Sequence, residues 1–255
     1  MGTMNQVLFV VAYDGTDYHG FERQVGLPTI QGILEQTLTR LLGPGVVVGA
    51  SRTDAGVHAE GQVAVWRGAC PIPLNRWADV VNRQLPPDIR VRDPRWVPDG
   101  WDPRRQARAK QYGYRIWRGP GPAPLAWRRW VVEWPEPVDW RVLQEAARVA
   151  EGVHDFRAFR NEGSSAVTTV RHIYVSRWDA EANGNIWRYR VTGNGFLYRM
   201  VRHLVGQMWA AARQGDLETM RAALDRAVKV TEVAPAKGLV LETIWFDEFS
   251  SARGY

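Results

Sequence analysis

The chain has 255 residues, of which 45% are hydrophobic, with a single cysteine and a formal net charge of +6. This length allows one large domain or two subdomains, and one cysteine excludes an internal disulfide and a cysteine-based metal cluster. No run of about eighteen apolar residues is present, so we expect no membrane span and a cytoplasmic protein. Only three of the 33 basic residues are lysine. This excess of arginine favours a polyanionic partner, because guanidinium groups bind phosphate bidentately, and the alternative interpretation is a base-composition bias of the genome.

The first half of the chain is predicted to alternate strands with helices. A strand at 6–13 leads into a turn, and a helix follows at 28–42, which Thr29 caps and Gly43 ends. The next predicted elements are strands at 46–48 and 62–66, a helix at 74–84, and strands at 89–92 and 107–118.

Three prolines and two glycines at 119–124 indicate a linker, so we predict subdomains at 1–118 and 119–255. The second half mixes helices with strands as the first does, which suits α+β subdomains packed through one continuous sheet. Its predicted elements are a helix from Asp139 to 151, strands at 167–178 and 186–192, helices at 196–214 and from Asp216 to 228, and a strand at 239–246.

The run Gly-Ala-Ser-Arg-Thr-Asp-Ala-Gly-Val-His-Ala at 49–59 is the most specific pattern in the chain. It places Asp54 two residues after Arg52 and two before Gly56, between two predicted strands. An acid on a tight loop is held rigidly and can face a cleft. The Arg52 guanidinium can keep such an acid ionised or bind an anionic substrate. The alternative interpretation is a β-turn that carries a solvated arginine–aspartate pair.

Other patterns leave both structural and functional interpretations open. Tyr112 and Tyr114 share one face of a predicted strand, where both could pack in the sheet or one could stack on a nucleobase and transfer a proton. Arg202 lies early in an apolar helix and is expected to pair with a carboxylate, either Asp54 or a structural acid. His58, beside the Asp54 run, is interpreted as a packed or hydrogen-bonding residue rather than a catalytic base.

Two patterns argue against bound groups. The segment 193–198 resembles a dinucleotide-binding loop, but Tyr198 replaces its third glycine, so we predict no nicotinamide or flavin cofactor. The five histidines lack the spacing of metal ligands, so we predict no metal site.

The run at 49–59 resembles the active-site motif of TruA-type tRNA pseudouridine synthases, and the resemblance extends over nearly the whole chain. The segment 13–20 is similar to the opening turn of that family. Directly after it the family usually has a tryptophan and a glutamine, and this chain departs from the pattern with Phe21 and Glu22. The further matching segments are 154–156, Arg171, 195–206 and 234–239.

The resemblance implies an enzyme, a tRNA pseudouridine 38–40 synthase, that isomerises uridine in the anticodon arm of tRNA without cofactor or metal. It implies a homodimer that holds tRNA across both subunits. The implied fold is α+β, with two ferredoxin-like subdomains that share a central mixed, mainly antiparallel sheet.

The resemblance also implies roles for individual residues. Asp54 is expected to be the nucleophile, and Arg52 to occupy the space left by the flipped uridine. Tyr112 is expected to stack on the base and take the C5 proton. The remaining expected site residues are Arg202, which would pair with Asp54, Leu239, which would line the base pocket, and the substrate-binding candidates Arg23, Gln24 and His58.

Two competing functions explain less of the sequence. A non-catalytic RNA-binding protein of the same fold accounts for the charge and the aromatic residues, but it gives no reason for the acid at Asp54. A hydrolase of glycosidic bonds needs two acids that flank the bond, and Glu60, the nearest other acid in sequence, follows no matching pattern.

Overall fold

The computed structural model describes residues 4–134, 137–161, 167–225 and 228–246. These residues form two compact units. The first unit contains the described residues up to Ala107 and from Val240 onward, and the second contains those from Arg108 to Leu239. The elements in chain order are β1 (Met4–Tyr13), α1 (Ile30–Leu42), β2 (Gly45–Gly49), β3 (His58–Gly68), α2 (Leu74–Asn82), β4 (Ile89–Pro98), α3 (Pro103–Gln106), β5 (Ala109–Trp117), β6 (Val132–Glu133), α4 (Trp140–Arg148), β7 (Gly152–Asp155), β8 (Val170–Glu181), β9 (Ile186–Gly193), α5 (Met200–Gln214), α6 (Glu218–Asp225) and β10 (Leu239–Trp245).

The sheet of the first unit is built around β3. Strand β1 pairs antiparallel with both β3 and β4, and β2 pairs antiparallel with β3. Strand β10 pairs parallel with β3, with Val240 opposite His58. Gly61 permits this close approach, because a Cβ at that position would lie 2.1 Å from the Glu242 carbonyl oxygen. The first residues of β3, directly after the Asp54 loop, are therefore fixed between neighbours inside the sheet.

Helices α1 and α2 complete the core of the first unit. The Thr29 hydroxyl accepts a hydrogen bond from the Gly32 N–H, and Gly43 ends α1 with a φ of 94°. Trp77 of α2 is fully buried, and its ring lies 4.9 Å from that of Phe9 on β1. The buried residues of α1 are Ile30, Leu34, Thr37, Leu38 and Leu42.

The sheet of the second unit is built around β9, which pairs antiparallel with β5 and β8. Strand β7 pairs antiparallel with β8, and β6 pairs parallel with β5. Helix α4 packs on β8 and on α5, and the Gln144 side chain donates to the Trp178 carbonyl oxygen. The proline-rich segment 119–124 lies within this unit, between β5 and β6.

The structure confirms the α+β class within each unit, where the strands are mixed and mainly antiparallel. The prediction of a helix from residue 196 is wrong at its start, because α5 begins only at Met200. Arg199 has a φ of 60°, which a helix cannot continue. The segment before α5 is held against β8 instead, since the Asn194 N–H donates to the His172 carbonyl oxygen and the Asn194 side chain accepts from the His172 N–H.

Three short elements have no clear pattern in the sequence. The two-residue strand β6, the four-residue strand β7 and the single-turn helix α3 were not predicted. No helix in the described ranges combines the length and the apolar character that crossing a membrane would require.

Candidate active site

The Asp54 loop joins β2 to β3 and is anchored on both sides of the acid. The side chain of Gln62, fully buried on β3, donates to the Ser51 carbonyl oxygen at 2.7 Å and accepts from the Ser51 N–H at 3.1 Å. The hydroxyl groups of Thr53 and Tyr13 lie 2.8 Å apart in the protein interior. The backbone on the N-terminal side of Asp54 is therefore fixed by buried polar contacts, which are costly to break.

Asp54 is the first residue of a four-residue turn. Its carbonyl oxygen accepts from the Val57 N–H at 3.1 Å, and Gly56 in the third position has a φ of 76°, which glycine adopts without strain. The Gly56 N–H donates to the Tyr18 carbonyl oxygen. Asp54 itself is half-buried. The Asp54 carboxylate is therefore carried by a turn whose backbone is fixed by hydrogen bonds.

The opening turn at 13–20 packs directly against this loop. The Phe21 N–H donates to the Thr53 carbonyl oxygen at 3.1 Å. Gly20 has a φ of 86°, and a Cβ there would lie 2.4 Å from the same oxygen. The opening turn at 13–20 and the run at 49–59, which are separate in sequence, thus pack together in the fold.

His58 holds the other end of the opening turn. Its ring is fully buried, and its Nδ1 lies 3.1 Å from the Gly15 N–H nitrogen and 3.2 Å from an Asp14 carboxylate oxygen. A fully buried ring offers no surface to a substrate, so its environment favours the packed, hydrogen-bonding interpretation.

Arg52 is exposed and forms a two-point ion pair with Glu22. Its Nε lies 2.7 Å from Glu22 Oε2, and its Nη2 donates to Glu22 Oε1 at 2.9 Å. Arg104 of α3 donates to the same Oε1 at 3.1 Å, and its Nε donates to the Gly49 carbonyl oxygen at 3.0 Å. One carboxylate therefore holds two guanidinium groups beside the Asp54 loop. The sequence alone does not indicate this cluster, because Glu22 lies 30 positions from Arg52 and 82 from Arg104, and such separations give no periodic signal.

Arg23 and Gln24 continue the same exposed segment. Arg23 lies 3.4 Å from Glu35 of α1, and the Gln24 side chain donates to the His19 carbonyl oxygen. Val25, at the tip, is fully exposed. This segment offers polar and apolar groups to a large ligand.

In the second unit, the two tyrosines of β5 have different surroundings. Tyr112 is buried, and its ring meets that of Phe196 edge-on at 5.1 Å. Tyr114 is fully buried, and its hydroxyl donates to the Pro235 carbonyl oxygen at 2.9 Å. Burial raises the pKa of Tyr114 far above its usual range, and the nearby Arg202 only partly opposes this. The Tyr114 hydroxyl thus has a structural role.

Arg202 is half-buried on α5 and is tied to the segment that leads into β10. Its Nε donates to the Ala234 carbonyl oxygen at 2.7 Å, and the Ala234 N–H donates to the Arg202 carbonyl oxygen at 3.1 Å. Gly238 lies against the Tyr114 ring, where a Cβ would approach to 2.8 Å. Leu239 follows directly and is largely buried. The second unit therefore brings Arg202, the 234–239 segment and β5 together.

The histidine next to Arg202 is buried and has a lowered pKa. His203 is 3% exposed, its Nδ1 lies 3.0 Å from the Glu232 carbonyl oxygen, and its Nε2 lies 2.6 Å from the Asn161 side-chain oxygen. Burial lowers the pKa of His203. The hydrogen bond to the Glu232 carbonyl oxygen partly opposes this, and the positive charges of Arg202, Arg199 and Lys229 lower the pKa further.

The candidate residues thus fall into two groups. Asp54, Arg52, His58, Arg23 and Gln24 belong to the first unit, and Tyr112, Arg202 and Leu239 belong to the second. Within the described part of the chain, no three His, Cys, Asp or Glu side chains are grouped so that they could hold a metal ion.

Comparison with known proteins gives one consistent family. A family model described as tRNA pseudouridine synthase matches residues 9–104 and 146–247. The chain is 40% identical over 245 residues to tRNA pseudouridine synthase A of Syntrophotalea carbinolica, covering 93% of this chain and 95% of that protein. It is 40% identical to the protein of the same name from Solibacter usitatus, covering 92% and 97%. It is 36% identical to that from Ruminiclostridium cellulolyticum, covering 95% and 100%.

We predict that His203 makes the folded protein sensitive to acid. Because its pKa is lowered on folding, the unfolded chain binds the proton more tightly. The stability that the neutral ring contributes is complete above pH ~6.5 and is lost as pH falls toward the folded-state pKa. Each tenfold difference in proton affinity corresponds to about 1.4 kcal/mol. Urea unfolding of the RNA-free protein at a series of pH values from about 8 to about 5 measures the loss.

His203→Gln should flatten this part of the pH profile, whereas His19→Gln, at an exposed position, should leave it unchanged. Equal pH profiles for wild type and His203→Gln would contradict the prediction.

Proposed function

We propose that this chain, which belongs to the tRNA pseudouridine synthase family, isomerises uridine to pseudouridine in tRNA with Asp54 as the nucleophile. The observation that carries the proposal is the rigid turn that presents the half-buried Asp54 beside an exposed arginine. A fixed carboxylate can form a covalent intermediate and leave again without any cofactor.

The reaction is an isomerisation in which no electron carrier takes part. The C1′–N1 bond of the uridine breaks, the base turns, and a C1′–C5 bond forms. C5 then loses its proton and N1 of the product carries one. Asp54 attacks either C6 of the base or C1′ of the sugar, and both routes use the same positioned carboxylate.

We propose that Arg52 takes the place of the flipped uridine. A base that is stacked in an RNA arm must leave the stack to reach Asp54, at a cost of a few kcal/mol. The long, exposed side chain of Arg52, two residues from Asp54, can offset part of this cost by stacking on the neighbouring bases and binding phosphate.

Tyr112 is the proposed partner of the base and the acceptor of the C5 proton. The environment of Tyr114 supports this choice, since its hydroxyl is occupied by Pro235. Arg202 is proposed to pair with Asp54 and Leu239 to line the base pocket, as the family resemblance implies. Arg23 and Gln24 are proposed to contact RNA from their exposed segment, and His58 to hold the opening turn against the Asp54 loop.

The proposed substrate is the anticodon arm of tRNA, at uridines 38–40, on the strength of the family resemblance. The net charge of +6, carried mainly by arginines, supports a polyanionic substrate, and binding should weaken steeply with salt. The proposed location is the cytoplasm.

Asp54→Asn should abolish pseudouridine formation, by at least about 10³-fold, because the amide has nearly the same size but is not a nucleophile. Binding of tRNA should survive. Single-turnover assays of pseudouridine formation and filter binding measure the two effects.

Asp93→Asn is the matched control, because Asp93 is an exposed acid of the same unit that pairs with Arg92. Its φ of 54° is one that asparagine tolerates. Substantial turnover by Asp54→Asn would remove Asp54 from the mechanism. A wild-type protein that binds tRNA but forms no pseudouridine would instead favour a non-catalytic RNA-binding protein.

Tyr112→Phe should retain tRNA binding and lose the isomerisation step, because the ring remains and only the hydroxyl is removed. Tyr114→Phe should instead lower the free energy of unfolding by about 1 kcal/mol, through the lost hydrogen bond to Pro235, with the chemical step intact. Single-turnover kinetics and thermal unfolding of both variants separate these effects. An active Tyr112→Phe together with an inactive Tyr114→Phe would transfer the role to Tyr114.

We also propose that the protein is a homodimer that binds one tRNA across both subunits. RNA-modifying proteins often recognise the shape of an extended RNA surface, and a second basic surface would lengthen the footprint. Light scattering coupled to size-exclusion chromatography should give twice the mass of 29.0 kDa at working concentration. A fully active monomer would contradict this proposal.

A further inference from the structure

Two arginines beside the Asp54 loop converge on a single carboxylate. Arg52 contacts both oxygens of Glu22, and Arg104 contacts one of them. Two positive charges therefore meet one negative charge. The exposed fraction of the side chain is 58% for Arg52, 43% for Arg104 and 39% for Glu22. Ion pairs with this much exposure add little to folding stability. A contribution to stability therefore does not explain why these three side chains lie together.

The Arg104 side chain and the backbone around Arg52 are held by contacts that do not involve Glu22. Arg104 donates through its Nε to the Gly49 carbonyl oxygen, and it lies in α3, whose N-terminus is capped by the Asp102 side chain. The backbone around Arg52 is held by the contacts of Ser51 with Gln62 and of Thr53 with Tyr13. Removal of the Glu22 charge would therefore leave the Arg104 guanidinium group bound to Gly49 and the Arg52 side chain attached to a fixed backbone, with no carboxylate between them.

The position that Glu22 occupies suits a phosphate group. A guanidinium group binds two oxygens of a phosphate as readily as two oxygens of a carboxylate. A backbone phosphate of RNA has two free oxygens and arrives with a substrate that is itself a polyanion. Glu22 is exposed enough to turn away when such an anion arrives.

We propose that Glu22 is an internal counter-ion, which a backbone phosphate of the RNA displaces from Arg104 and Arg52, so that phosphate binding releases Arg52. The inference rests on the proposed function, because it takes RNA as the ligand. Arg104 keeps its hydrogen bond to Gly49 and retains the phosphate. Within the described chain, the hydrogen bonds of the Arg52 guanidinium go to Glu22, so its displacement leaves Arg52 able to turn toward the place of the flipped uridine.

Glu22→Gln tests this inference through tRNA affinity at fixed salt. The amide keeps the size of the side chain but no longer competes with phosphate, so affinity should rise about 2- to 5-fold over wild type, in the range that exposed ion pairs allow. Asp93→Asn is the matched control, because it also removes one acid paired with an arginine in the same unit. It measures the general effect of one less negative charge and should change affinity less.

The effect of Glu22→Gln should depend on the two arginines. In an Arg52→Ala, Arg104→Ala background, the same substitution should raise affinity no more than Asp93→Asn does. A gain that persists in this background would show a general field effect and overturn the inference. So would a Glu22→Gln affinity equal to that of Asp93→Asn in the otherwise wild-type protein.

Pseudouridine formation by the same preparations distinguishes failure of the counter-ion proposal from failure of the proposed function. Wild-type activity combined with a Glu22→Gln affinity equal to the control overturns the counter-ion alone. A wild-type protein that neither binds tRNA nor forms pseudouridine overturns the proposed function and the counter-ion with it.

Discussion

The position of the Asp54 loop depends on the backbone contact between Gly20-Phe21 and Thr53. The Phe21 N–H donates to the Thr53 carbonyl oxygen, and only a residue without a Cβ at position 20 allows this approach. The same two residues accept hydrogen bonds at the start of α1, from the N–H groups of Ile30 and Gln31. They satisfy donors that a helix N-terminus leaves without partners. One dipeptide thus connects the first helix of the unit to the loop that carries the proposed nucleophile.

This contact also determines which side chains meet at the loop. Phe21 is fully buried, and its ring fills the space above Gly49, where a Cβ would come within 2.2 Å of it. Glu22, the next residue, is thereby directed toward Arg52. The second unit uses the same device, since Gly238 lies against the Tyr114 ring and Tyr114 bonds to Pro235. In both units a glycine allows a loop to approach so closely that the polar groups beside it have fixed partners.

The sequence predicted the long elements and the position of the Asp54 loop between two strands, but not the contacts around that loop. Helix α1 and strands β1, β9 and β10 follow clear periodic patterns and were predicted to within a few residues. The start of α5 was missed because the left-handed conformation of Arg199 is set by its surroundings, and local propensity gives no sign of it. The pairing of Glu22 with Arg52 and Arg104 joins residues far apart in sequence, and charge alone does not indicate which acid meets which base.

A carboxylate beside the proposed catalytic loop opposes the binding of a polyanion, and the geometry suggests why such a cost can be tolerated. An unpaired, flexible Arg104 would have to lose its rotamer freedom when RNA arrives, which costs free energy at the moment of binding. The ion pair with Glu22 and the hydrogen bond to the Gly49 carbonyl oxygen order the Arg104 guanidinium group before RNA arrives. Exchange of Glu22 for a phosphate then changes the partner of an arginine that is already ordered. The free energy lost to electrostatic competition is in this way partly offset by a smaller loss of conformational entropy on binding.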